Sequence, residues 1–238
     1  MKNIDLWFGD SYTVGAELAN HYGDYNLNLS HHRFVRPERD RPDLAFPHLV
    51  STARNVDYIS FGSGNSSISW QLYNLIQFCK NEIRSNCKYT AFFCLPFAER
   101  NFLIDNEFNH HHINKPKWNE HHSYLDFVTY NTTLILNQLY LLCEKYNIEP
   151  YFFSQMTSIE INTNINILPD SAWLIEPSKC LVNETWQLDK EIHTWRNIIE
   201  MLANQHVYLK FISPCENHPN LIGQQSLADK ILQELEKR

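Results

Sequence analysis

The feature that most narrows the fold is a repeated alternation. Short, mostly apolar runs at residues 4–8, 58–61, 88–95, 150–153 and 207–212 are followed by turns, and then by longer stretches with apolar residues at helical spacing. Near-continuous apolar runs of this length read as strands covered on both faces. Strands that alternate with helices read as a parallel sheet between two helical layers. The expected fold is therefore α/β, a three-layer α/β/α sandwich with a parallel sheet of about five strands.

The helical stretches fall at residues 14–22, 46–53, 68–83, 125–146 and 189–204, and from Asn220 onward. Ser66 or Ser67 is placed to cap the third of these, which carries Ile68, Leu72, Leu75, Ile76, Cys79 and Ile83 on one side. Leu227, Ala228, Ile231, Leu232 and Leu235 form the stripe of the last. Residues 27–47 are polar, proline-bearing and aperiodic, which predicts a surface loop. Two stretches lack pattern, about 97–122, irregular and histidine-rich, and about 157–188. They are expected as insertions in a single domain spanning 1–238, and long loops in such domains commonly carry function or cover a site.

Composition removes several function classes. With 43% hydrophobic and 20% charged residues the chain is not disordered, having enough apolar surface to offset the entropy of ordering. A net charge of -7 argues against a phosphate-backbone partner. The most basic stretch, residues 33–41, is interrupted by Glu38 and Asp40, so no nucleic acid is expected. No apolar run approaches the ~18 residues of a spanning helix, so no membrane partner is expected either. The 6 cysteines (Cys79, Cys87, Cys94, Cys143, Cys180 and Cys215) show no C-x-x-C spacing, and Asp5 and Asp10 interrupt any secretory apolar region. The expectation is reduced, mostly buried thiols in a cytoplasmic protein.

In an open parallel sheet, ligands bind at the carboxyl ends of the strands. Three loops that the topology would bring to that edge are unusual: Gly9-Asp10-Ser11, Gly62-Ser63-Gly64-Asn65, and SPCENHPN at 213–220. Ser11 sits where a strand is expected to turn into a helix, so its N–H would face the cleft and the helix terminus would add positive potential. It reads either as a nucleophile or as a simple helix cap. Pro219 biases His218 to an extended backbone, from which its imidazole projects as a candidate base or stands as a surface histidine. Gly62 and Gly64 permit close backbone approach, and a Gly64 N–H beside that of Ser11 would form an oxyanion hole.

Together, FGDSYTVG at 8–15, ISFGSGNSS at 59–67 and ENHPNLIGQQSLADKI at 216–231 resemble the SGNH (GDSL-type) hydrolase superfamily. The resemblance implies the flavodoxin-like sandwich of that superfamily and ester hydrolysis through an acyl-enzyme, with no cofactor and no metal. Ser11 would be the nucleophile, His218 the general base, and the N–H groups of Ser11 and Gly64 the oxyanion donors. Asp10 would brace the turn. Two positions depart from the family pattern. Where the family has Asp-x-x-His this chain has Cys215, which leaves Glu216 or a backbone carbonyl to orient His218. Where the family has Gly-x-Asn-Asp the chain reads LPFAERN at 95–101, so the third donor would be Asn101, Arg100 or Asn65. The implied substrate is a small acyl ester, such as an O-acetyl group on a carbohydrate. The alternative is a catalytically impaired SGNH-fold binding or structural module.

The histidine clusters His31-His32, His110-His111-His112 and His121-His122 are expected as solvated loop residues, a histidine-rich metal protein being the competing reading. Trp118, Trp173 and Trp186, with Tyr124, lie in or near the insertions. They either offer aromatic faces to a sugar or pin the loops to the core.

Overall fold

The computed structural model describes residues 1–16, 18, 31–36, 39–64, 66–96, 102–104, 110–112, 121–154, 168–177, 179, 181 and 218–238, with backbone alone at 102–104, 110–112 and 121–129. In chain order the elements are β1 (Lys2–Phe8), α1 (Phe46–Ala53), β2 (Asp57–Ser60), α2 (Ile68–Asn81), β3 (Cys87–Leu95), β4 (Phe102–Ile104), β5 (His110–His112), α3 (His121–Lys145), β6 (Ile148–Ser154) and α4 (Leu221–Glu236). A 3-10 turn, Asp170–Ala172, lies between the last two.

Four strands form a parallel sheet in the order β2-β1-β3-β6. The expected strand at 207–212 and the expected helix at 189–204 lie outside the described residues. Side chains alternate between two layers, as strand geometry requires. Leu6, Phe8, Phe93 and Phe152 face Leu75 and Phe78 of α2 and Leu136 and Leu139 of α3. Trp7, Phe92, Cys94 and Phe153 face Phe46 and Val50 of α1 and Leu227, Ala228 and Ile231 of α4. The three-layer sandwich follows from that alternation.

Parallel register places like residues side by side. Phe8 stacks on Phe61 and on Phe93, with ring centroids 4.8 and 4.9 Å apart, and Phe93 stacks on Phe152 at 4.8 Å. On the opposite face Trp7 stacks on Phe92 at 4.1 Å. Each buried ring of this kind is worth about 1.5–3 kcal/mol of transfer free energy.

The helix ends obey capping chemistry. Ser67, not Ser66, accepts the Trp70 N–H and opens α2. Asn220 accepts the Gly223 N–H at 3.0 Å and opens α4. α1 has no side-chain cap of its own, but Pro at its first turn is preset for a helix. A polar network also crosses the core: Trp7 Nε1 donates to Ser51 Oγ, which donates to Asp5, and Arg54 Nη1 pairs with Asp5 at 2.7 Å. Burial pushes the Asp5 carboxyl up to about 6, against the pull of Arg54 and Ser51.

Two sequence expectations are corrected. Residues 14–16 are turn and bridge rather than the start of a helix. Gly15 is left-handed, with φ +62, and Ala16 forms an antiparallel bridge to Asp40, which diverts the chain away from helical hydrogen bonding. The stretch 97–122 is not wholly irregular: β4 and β5 form an antiparallel pair with Phe102 opposite His112, and α3 already starts at His121. In the second insertion Trp173 is buried and bridges Phe152 at the edge of β6, while the Leu174 N–H donates to the Phe152 carbonyl at 2.8 Å. Trp173 therefore pins its loop to the core. Trp118 and Trp186 lie outside the described residues.

Cys79, Cys94 and Cys143 are buried and Cys87 is partly exposed, and none of the four forms a disulfide among the described residues. Burial pushes the Cys79 thiol up to about 11, so it packs as a small apolar group. Among the described residues no helix is long and apolar enough to cross a membrane.

Candidate functional site

The strand order reverses between β1 and β3: from β1 the chain first builds β2 on one side, then β3 on the other. That switch point, at the carboxyl ends, is where an open α/β sheet leaves a crevice. The turn Gly9-Asp10-Ser11 leaves β1 there. Its shape comes from short-range hydrogen bonds: the Tyr12 N–H donates to Asp10 Oδ1 at 3.1 Å, the Thr13 N–H to the Asp10 carbonyl at 3.1 Å, and the Ala16 N–H to the Ser11 carbonyl at 2.9 Å. Ser11 thus lies in a braced turn, and the macrodipole expected from a helix at 14–22 is not supplied by the described residues. Ser11 is 7% exposed and Asp10 is buried.

The second loop packs against the first. The Ser63 N–H donates to the Gly9 carbonyl at 3.1 Å, and the Ser66 hydroxyl donates to the same oxygen at 2.7 Å. A Cβ on Gly62 would lie 2.9 Å from both Thr13 Cγ2 and Val14 Cγ1. The small size of Gly62 therefore serves the packing of one loop on the other, rather than approach to a ligand. At Gly64 the corresponding position is 2.9 Å from Arg39 Nη2. Neither the Ser11 nor the Gly64 N–H donates to an acceptor among the described residues.

The third loop arrives from the far end of the chain. The His218 ring lies with its centroid 5.5 Å from that of Tyr12, at 61°. Asn220 then caps α4, and in the first turn of that helix Gln224, fully buried, ties the loops together. Its Nε2 donates to the Tyr12 carbonyl at 3.2 Å, and its Oε1 accepts the Phe46 N–H, the first of α1, at 2.9 Å. One amide thus supplies the missing cap of α1 and holds the residue after Ser11 against the helix after His218.

Asn65, Arg100, Asn101 and Glu216 lie outside the described residues, as does Cys215. Two residues of this region escaped the sequence reading. Gln224 could have been found, because it is polar yet lies three, four and seven positions before Leu227, Ala228 and Ile231 on the buried stripe. Arg39 carried no local signal of its neighbour.

Of the first histidine pair, His32 does not behave as a solvated residue. His32 is half-buried, its Nε2 2.9 Å from the Tyr58 hydroxyl, and His48 Nδ1 approaches the same hydroxyl at 3.2 Å. His31 is exposed, with its ring 5.7 Å from that of Tyr58. Among the described residues no group of three or more His, Cys, Asp or Glu is arranged to hold a metal ion.

No family model and no curated protein matches the chain. Along nearly its whole length it is similar to solved esterase and lipolytic structures. One is a carbohydrate esterase whose active site displays divergent catalytic and non-catalytic binding functions, 15% identical, covering 100% of this chain and 65% of its own, with a TM-score of 0.48. Another is a family 2 carbohydrate esterase with a carbohydrate-binding domain from Corynascus thermopiles (Myceliophthora fergusii), 12% identical, covering 99% and 67%, with a TM-score of 0.48. A third is a member of the lipolytic G-D-S-L family from Veillonella parvula, 13% identical, covering 97% of both chains, with a TM-score of 0.40. The chain spans about two thirds of the length of the two carbohydrate esterases.

Proposed function

We propose that this chain is an SGNH-type serine ester hydrolase acting on a small acyl ester, with an O-acetyl group on a carbohydrate as the leading candidate. The observation that carries the reading is the meeting of two ends of the sequence: the turn holding Ser11 and the turn holding His218 are joined through Tyr12, whose ring neighbours the imidazole and whose carbonyl is held by Gln224. In this reading Ser11 Oγ attacks the ester carbonyl as His218 takes its proton. The N–H groups of Ser11 and Gly64 receive the oxyanion, with Asn65, Arg100 or Asn101 as third donor. His218 returns the proton to the leaving alcohol, then activates the water that hydrolyses the acyl-enzyme. Glu216 or a backbone carbonyl orients the imidazole. Asp10 holds the turn through its bond to the Tyr12 N–H.

A serine-directed phosphonate is expected to label Ser11, and Ser11→Ala to abolish labelling and lower kcat on acetylated sugars by more than about 10⁴-fold. Folded wild-type protein that neither reacts with the phosphonate nor hydrolyses any short-chain ester would sink the reading. The turn that stands where a helix N-terminus was expected favours a second reading, a module that has kept the fold and lost the chemistry. Binding of an acetylated sugar by a protein that stays unlabelled is the result that selects it.

A further inference from the structure

We propose that Arg39 binds a carboxylate on the substrate beside Gly64, making the site selective for esters that carry a negative charge. The inference rests on the ester hydrolase reading and names the substrate class of that site. Residues 33–41 hold four arginines, and their engagements differ. Arg33 is paired with Glu82. Arg41 grips Asp43 through two nitrogens, Nε at 2.9 Å and Nη2 at 2.8 Å. Arg39 is engaged through Nε alone, on Asp40 Oδ1 at 3.1 Å. That anchor is fixed: Asp40 is 1% exposed, its other oxygen accepts the Arg36 N–H at 2.9 Å, and its backbone bridges Ala16.

The guanidinium is therefore oriented by a buried carboxylate at Nε, and its Nη2 lies beside Gly64. Four of its five N–H donors, those on Nη1 and Nη2, have no partner among the described residues. Its side chain is 30% exposed, so water and a ligand can reach it. Gly64 belongs to the turn that Ser63 and Ser66 fasten to the Gly9 carbonyl, two residues before Ser11. A donor pair held in place at the rim of the nucleophile's turn suits a planar carboxylate, because a pre-oriented fork loses little rotamer freedom on binding. A neutral ester would leave this edge of the site in water.

The carboxylate can belong to the acyl half or to the alcohol half of the ester, and matched pairs separate the two. The acyl pair is 4-nitrophenyl hexanoate and mono-4-nitrophenyl adipate. The alcohol pair is acetylated methyl glucoside and acetylated methyl glucuronoside. In one pair, the anionic member is expected to be favoured in kcat/KM by about 10–100-fold, the worth of one charge-assisted contact. Arg39→Gln is expected to collapse that ratio toward one and Arg39→Glu to invert it. Equal ratios in wild type and Arg39→Gln for both pairs overturn the inference. If no ester is turned over, saturation-transfer NMR with methyl glucuronoside, methyl glucoside, adipate and hexanoate decides the matter. Selective loss of an anionic ligand in Arg39→Gln upholds the anion site while the hydrolase reading falls. Identical spectra for the two proteins overturn it.

Discussion

His32 meets Tyr58 across 26 positions of sequence, and His48 meets the same hydroxyl across 10. One phenol can donate to only one of two imidazoles, so one ring accepts from Tyr58 and the other donates to it. His32 Nδ1 is buried without a partner. An orphaned lone pair costs less than an orphaned N–H, which places the His32 proton on Nε2, donating to Tyr58, and has Tyr58 donate to His48 Nδ1. Burial, followed by the neighbouring His31 and His48, lowers the His32 pKa from 6.5 to about 4, so the folded protein keeps this ring neutral. The linkage sign follows. With the folded value below the unfolded one, the unfolded chain binds more protons between about 6.5 and 4, and stability drains away as pH falls through that window. Asp5, raised to about 6, acts oppositely over much of the same range. The checkable quantity is therefore a difference: thermal melts of wild type and His32→Gln should diverge in slope between pH 6.5 and 4 and run parallel above it. A histidine pair in a polar loop carries no mark of a tyrosine waiting on a distant strand. For that reason the sequence reads His32 as solvated.

At the scale of elements, α4 organises the region around the candidate site. Its start is legible in sequence because Asn220 is a capping residue ahead of an apolar stripe, and the helix begins there. What periodicity did not reveal is that one polar residue on the buried face fastens two other loops. Replacing Gln224 by Leu would strand the Phe46 N–H, at about 1–3 kcal/mol, and take one of its donors from the Tyr12 carbonyl, which keeps the Gly15 N–H. Denaturant unfolding should show that loss, and the rate of phosphonate labelling at Ser11 should fall with it. Asn220→Ala removes the cap, should cost about 1 kcal/mol, and should change the labelling rate far less than Gln224→Leu does. The start of the segment after Ser11 was misread for a different reason: apolar spacing suits a helix from residue 14, but the left-handed Gly15 and the bridge from Ala16 to Asp40 give the backbone of 15–16 other partners.

For the whole molecule, the sheet is a ladder of stacked rings, and Phe93 stands at its centre between Phe8 and Phe152. Phe93→Ala should destabilise the protein by about 3–5 kcal/mol, measurable by urea unfolding, because neighbours locked in stacked pairs cannot collapse into the space. The sequence alone determined the parallel sheet, its two helical layers, the capped starts of α2 and α4, and the choice of Ser11 and His218 as the residues to watch. These depend on local periodicity and short turn motifs, which are properties of neighbours along the chain. Only the tertiary structure decided that Tyr12 joins the two turns, that Gln224 holds them together, that Trp173 is a pin, and that Arg39 faces Gly64. Contacts between residues tens to hundreds of positions apart depend on how layers pack in space, and no window of sequence contains both partners.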